Sequence, residues 1–259
     1  TALFAALLAK DILGLSGREA IVWLGRHTAD ALLTPAQIMM LMAYQADTNF
    51  HRTGGAMAHS LERLPVKERR GSRARCVLFT DGIRAEVAAR LTSLVAPHAI
   101  VHPERHIWMP NGVADAMEGK LGEAKSFLSD GQRKEVTNWW LAVRHAAANT
   151  PNWDIVSQAT IDGREGLILV EAKAHDQELI KAKGGKSLDE NASENSQSNH
   201  AQIGACIQQA SKALSSATGL PWSLSQDTHY QMSNRFAWAW KLTTMEIPVV
   251  LVYLGFLNA

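Results

Sequence analysis

The sequence predicts an α/β protein, and three observations carry that expectation. The stretch "WDIVSQATIDGREGLILVEAKAH" holds two strand-like runs joined through Asp162-Gly163, the pattern of a hairpin closed by a tight turn. Helix-spaced apolar residues flank it: Val136, Trp140, Val143 and Ala147 form one stripe before it, and "HAQIGACIQQASKALSSAT" and "HYQMSNRFAWAWKLTTM" follow it. The ending "IPVVLVYLGFL" is apolar, rich in β-branched residues and too short for a membrane helix, as befits a buried strand.

The texture changes near residue 115, dividing the chain into a mainly helical region with a small α/β unit (1–115) and a second domain (116–259). In the first region, "SGREAIVWLGRHTADALL" and "TPAQIMMLMAYQA" have helical spacing, the latter with Pro35 at the first helical position. "ARCVLFT" then reads as a short strand, "GIRAEVAARLTSLV" as a helix and "HAIVH" as a strand. In the second, a helix over "GQRKEVTNWWLAVRHAAAN" precedes the hairpin, and the polar "DQELIKAKGGKSLDENASENSQSN" after it reads as a mobile loop. Its "GGKS" is not a phosphate loop, because Ile180 stands where that motif needs glycine. Gly219 closes the helix that follows.

Composition narrows the function classes. A 259-residue chain that is 46% hydrophobic can bury a sizeable core, and a formal net charge of +1 excludes a globally basic binder. Cys76 and Cys206 are the two cysteines, far apart and without metal-ligand spacing, which fits a reducing cytoplasm. Lys10 and Asp11 interrupt the apolar opening "TALFAALLAKDILGL", which reads as an amphipathic helix, so no membrane partner is expected. The basic run "RLPVKERRGSRAR" admits two readings, a solvated loop or an arm contacting phosphates.

The hairpin register places chemistry. A two-residue loop at Asp162-Gly163 makes paired residue numbers sum to 325, so Asp154 stands across from Glu171; a four-residue loop would set it across from Lys173. Glu171 and Lys173 share a face in either case. Two carboxylates side by side at a buried sheet repel each other and lose hydration, so they need a cation, a proton or a salt partner. A divalent metal ion with hard oxygen ligands, Mg²⁺ or Mn²⁺, meets that need, and a lysine two residues on could polarise a water or stabilise charge on a phosphate. A structural Asp–Lys ion pair is the alternative.

Asp154 followed by Glu171-Ala172-Lys173 resembles the active-site signature of the PD-(D/E)XK nuclease superfamily, the restriction-endonuclease-like fold. The resemblance covers about Gln132 to Leu257, with helix, hairpin, helix and strand in that family's order, and "LILV" directly before "EAK". It implies a mixed sheet flanked by helices and metal-dependent hydrolysis of phosphodiester bonds, with DNA the foremost partner and a homodimer allowed. Asp154 and Glu171 become metal ligands, the Ala172 carbonyl completes the shell, and Lys173 assists the attacking water. Glu135, on the preceding helix, is the further acidic ligand, chosen over Glu123. The family's extra strand before the Asp-bearing one is absent from the local order, either missing or supplied by the N-terminal half.

Gln231, Asn234 and Arg235, with Tyr230 and Trp238 nearby, give the last helix a polar and aromatic side suited to substrate, and His200 and Gln202 could face the same site. A positive flank is expected from Arg235, Lys181, Lys183 and Lys186, with the 63–75 run a further candidate. The rival functions are a non-catalytic nucleic-acid-binding or assembly module that keeps the nuclease fold, and a nuclease acting on RNA.

Overall fold

A computed structural model of the chain describes the backbone of residues 30–33, 38–46 and 257, and residues 62, 64–66, 69–123, 127–144, 148–174, 178 and 184–256 in full. The hairpin organises the rest. β7 (Ile155–Ile161) and β8 (Arg164–Lys173) pair antiparallel from Ile161↔Arg164 to Ile155↔Val170, with Asp162 and Gly163 both at positive φ in the turn. This is the two-residue loop, a turn geometry that matches the twist of the strands it joins. The register therefore sums to 325, the first of the two alternatives.

On the other side of β8 lies β9 (Val249–Leu257), parallel to it from Leu167↔Val249 to Lys173↔Gly255. A parallel neighbour requires a long crossover, which α4 (Glu194–Thr218) and α5 (Tyr230–Thr244) supply. β9 in turn pairs parallel with β2 (Ile38–Ala46), and β2 antiparallel with β1 (Asp30–Leu33). At the opposite edge, β3 (Ala99–Ile100) and β4 (Trp108–Met109) both pair antiparallel with β7. The result among the described residues is one seven-stranded mixed sheet, with helices on both faces.

Alternation along β8 divides the core. Leu167 and Leu169 face a cluster containing Trp140, Ile207, Phe236 and Trp238, contributed by α3 (Asp130–Trp140), α4 and α5. Ile168, Val170 and Ala172 face Cys76, Phe79, Val87 and Leu91, from α1 (Gly71–Phe79) and α2 (Arg84–Val95). A strand buried on both faces reads as a continuous apolar run, which "LILV" does. Cys76 and Cys206 are buried free thiols in different clusters.

Several sequence expectations are corrected here. "ARCVLF" is helical, within α1, with Thr80 as its C-cap, because the second face of the sheet needs cover and a helix turns Cys76 and Phe79 onto it together. "TPAQIMMLMAYQA" gives strand β2 and not a helix: an almost wholly apolar run carries little periodicity, and the open edge of β9 gives it a ladder of nine paired positions. Asp30–Leu33 is likewise a strand, while the rest of "SGREAIVWLGRHTADALL" and the opening fifteen residues lie outside the described residues. The described residues of the N-terminal region contribute both helices and strands, and one sheet and one core cross the division at residue 115, since β1 to β4 join strands from beyond it. Two short strands from this half, β3 and β4, border the Asp-bearing hairpin by pairing with β7.

The helix before the hairpin stops at Trp140. Ser129 and Gln132 close its start in a capping box, but Val143 gives its N–H to Asn199 Oδ1 and its carbonyl accepts from Asn199 Nδ2, both at 2.8 Å. An amide side chain from α4 has replaced the helical partners. α4 itself begins at Glu194, behind Ser193 as N-cap, inside the segment read as a mobile loop, and ends at Gly219 in the left-handed conformation as expected. Among the described residues no helix is long and apolar enough to cross a membrane.

Gly166 marks where β8 and the approach to β9 come closest. A Cβ there would sit 2.5 Å from the Pro248 carbonyl oxygen, which accepts the Leu167 N–H at 2.9 Å. Gly166→Ala is therefore expected to cost about 1–3 kcal/mol, as overpacking against backbone does. Denaturant unfolding checks it; an unchanged midpoint would show that the two segments move apart freely.

Candidate functional site

The site forms where the β7–β8 ladder ends. β7 does not continue straight into β6 (Asn152–Trp153), which turns away to pair with β5 (Gly119–Lys120). That turn works because residue 119 is a glycine: a Cβ would lie 2.3 Å from Val156 Cγ2. Asp154 occupies the break, and its Oδ2 accepts the Ala172 N–H at 2.8 Å, standing in for the missing backbone partner. In an antiparallel strand the N–H and carbonyl of one residue point to the same edge, so the Ala172 carbonyl also faces the Asp154 side.

Glu171, across from Asp154, is 2% exposed and paired with two cations. Lys173 Nζ bonds Oε1, and Arg235 Nε donates to Oε2 at 2.8 Å. Lys173 also donates to Gln231 Oε1 at 2.9 Å. Arg235 is held on every side: it donates to the Asn152 carbonyl at 2.6 Å and to Asn234 Oδ1 at 2.8 Å, and it lies 4.7 Å from the Trp153 ring centroid. A cavity of about 580 Å³ opens over these groups, lined also by Ser72, Glu118, Lys120, Asn152, Lys186 and Tyr230.

The two carboxylates differ sharply. Burial pushes Asp154 up, the Glu171 charge adds to it, and the Ala172 N–H, Lys173 and Arg235 only partly offset these, leaving its pKa at about 7. Burial would also raise Glu171, but Arg235 first and Lys173 second hold it below the usual carboxylate range. The pair thus carries one firmly ionised acid and one acid near its midpoint at neutral pH.

Between the unfolded aspartate value and about 7 the folded protein binds a proton at Asp154 that the unfolded chain does not, so stability falls as pH rises through that window. Asp154→Asn keeps an acceptor for Ala172 and removes the charge. It should stabilise the metal-free protein by on the order of a few kcal/mol above pH 7, with the gain fading toward pH 4. Thermal melts of both forms at pH 5 and 8 test this; a gain that is the same at both values contradicts it.

The other expected site residues divide. Gln231, Asn234 and Arg235 line the cavity, though Arg235 is buried against Glu171 and not extended to the surface. Glu135 is exposed and pairs with Lys241 at 2.7 Å; it does not line the cavity. Glu123 pairs with Lys120, also at 2.7 Å. His200 Nε2 meets the carbonyl of the cavity-lining Lys186 at 2.8 Å, and Gln202 donates to the Trp139 carbonyl at 2.7 Å, so both brace backbone and neither lines the cavity itself. In the basic run, Arg69 donates to the Leu64 and Glu62 carbonyls and Arg73 bonds the Ala116 carbonyl and Glu118, while Arg63 and Lys67 lie outside the described residues. Lys181 and Lys183 lie outside them too.

Glu118 is the acid that sequence reasoning missed. It lines the cavity, pairs with Arg73 at 3.1 Å and accepts from Asn152 Nδ2 at 2.9 Å. No periodicity marks it, because it precedes a two-residue strand.

Among the described residues no three His, Cys, Asp or Glu side chains converge as a ready metal cage. The donor set still suits a hard divalent cation, with two carboxylates and one backbone carbonyl at one edge, and the burial and neighbouring Glu171 charge that raise the Asp154 pKa are what a bound cation would offset. No family model, curated protein or solved structure matches the chain, which leaves its own geometry as the basis for function.

Proposed function

We propose that this chain is a metal-dependent nuclease of the restriction-endonuclease-like type, an endonuclease that hydrolyses phosphodiester bonds in DNA. The observation that carries this reading is the convergence of Asp154, Glu171 and Lys173 on one face of the hairpin end, at the floor of an open cavity.

Asp154, Glu171 and the Ala172 carbonyl would hold Mg²⁺ or Mn²⁺, which when bound lowers the pKa of a water and offsets charge on the phosphate. Arg235 keeps Glu171 ionised and fixes its orientation through Oε2. Gln231 aligns the Lys173 ammonium from the other side. Lys173 then has a donor to offer the attacking water or a phosphate oxygen as charge grows there. Asp154, near its midpoint at neutral pH, exchanges its proton for positive charge at little cost.

Incubation with supercoiled, linear and single-stranded DNA and with RNA, in Mg²⁺, Mn²⁺ or EDTA, tests the reading. Divalent-dependent cutting of DNA is expected. Binding that is equal in all three conditions, with no substrate cut, would make the chain a non-catalytic nucleic-acid module.

A further inference from the structure

Among the described cations that line the cavity, Lys186 has no carboxylate partner. Lys173 and Arg235 are committed to Glu171, and Lys120 to Glu123. Lys186 instead lies with its Nζ 5.2 Å from the centroid of the Tyr230 ring, and among the described residues no carboxylate pairs with it.

Its backbone is pinned. The Lys186 N–H donates to the Gln226 carbonyl at 2.8 Å, and its carbonyl contacts His200 Nε2 at 2.8 Å. Two residues earlier, the Gly184 carbonyl accepts the Tyr230 N–H at 3.1 Å. Between them a Cβ on Gly185 would lie 2.2 Å from the Asp227 carbonyl oxygen, so the loop can pass this close only as glycine. A surface lysine kept for solubility needs no such anchoring. These contacts place an ammonium at the wall of the cavity, beside Tyr230, whose neighbour Gln231 holds Lys173.

We propose that Lys186, backed by Tyr230, forms an anion subsite for a backbone phosphate of the nucleic-acid strand, next to the phosphate that is cut. This rests on the nuclease reading for the identity of the ligand, and the subsite's chemistry is that of a phosphate in either case. Burial lowers the Lys186 pKa, and a phosphate seated on it supplies the charge its surroundings lack. A lysine fits the task as a compact point charge, and the aromatic face leaves its donors free on the cavity side. The loop that carries Lys186 thereby sets where the strand lies relative to Lys173.

Two measurements test it. In Ca²⁺, Lys186→Ala should weaken binding of a short single-stranded oligonucleotide about tenfold and reduce the slope of log affinity against log salt by about 0.7, the value for one lost phosphate contact on a single strand. Lys186→Arg should restore both. Unchanged affinity and slope in the alanine variant would overturn the subsite. The second measurement is independent of nuclease action: inorganic phosphate should raise the melting temperature of the wild type and not of Lys186→Ala. No rise in the wild type, or an equal rise in both, would also overturn it. A phosphate effect that depends on Lys186 in a protein that cuts nothing would sustain the subsite and remove the nuclease reading.

Discussion

Lys173→Ala is expected to abolish cleavage, with a loss of about a hundredfold or more in rate, while the protein stays folded and still binds nucleic acid in Ca²⁺. The size follows from removing a charged donor aimed at developing charge in a site of low dielectric. The fold survives because Glu171 keeps Arg235 as its partner, with three further contacts holding that guanidinium in place. Asp154→Ala should lose cleavage as well, but with weaker metal binding. Rates within a few-fold of the wild type in Lys173→Ala would place the chemistry elsewhere.

Glu171→Ala should cause the largest loss of stability. The carboxylate is the shared partner of two cations, and Arg235 is 6% exposed, so its removal leaves a buried guanidinium without a counter-charge. Breaking a buried pair from one side costs about 3–5 kcal/mol. For a chain of this size that corresponds to a fall in melting temperature of roughly 10 °C. Glu171→Gln keeps acceptor capacity and the side-chain volume, and should lose less. A melting temperature within about 2 °C of the wild type in Glu171→Ala would mean that solvent reaches Arg235 and supplies what the carboxylate does.

The hairpin was legible because its signals are local and strict. An Asp-Gly turn closes two strands in one register, and a period of two then sets the face of every side chain along them. Glu171, Lys173 and Asp154 followed from that arithmetic. Gly219 and the final strand were legible for similar reasons, one from a conformational need and the other from an apolar β-branched run.

What failed was decided by distant parts of the chain. Cys76 and Phe79 suit a strand as well as a helix in isolation; the apolar second face of the sheet, which they help to cover, makes them a helix. Ile38–Ala46 is strand because β9 has a free edge, and nothing within those nine residues announces β9. The helix over 131–149 was overextended since Asn199, fifty-six residues after Val143, ends it. Glu118 entered the cavity through a two-residue strand that carries no pattern, and Glu135 was favoured by its helix although the helix turns it outward. Arg235 was counted in a positive flank, and a buried carboxylate holds it inward.

In the proposed nuclease, Asp154 and Glu171 together hold a divalent cation, which Asp154 binds only by giving up a proton. Calorimetric titration of Mn²⁺ into the metal-free protein at pH 6 and pH 8, in buffers of differing ionisation heat, measures affinity and proton release together. The expected result is one ion bound more tightly at pH 8 by about tenfold, with close to one proton released at pH 6, since ligand protonation competes with metal. Asp154→Asn should show neither. Affinity that is independent of pH, or Mn²⁺ binding unchanged in Asp154→Asn, would contradict the account.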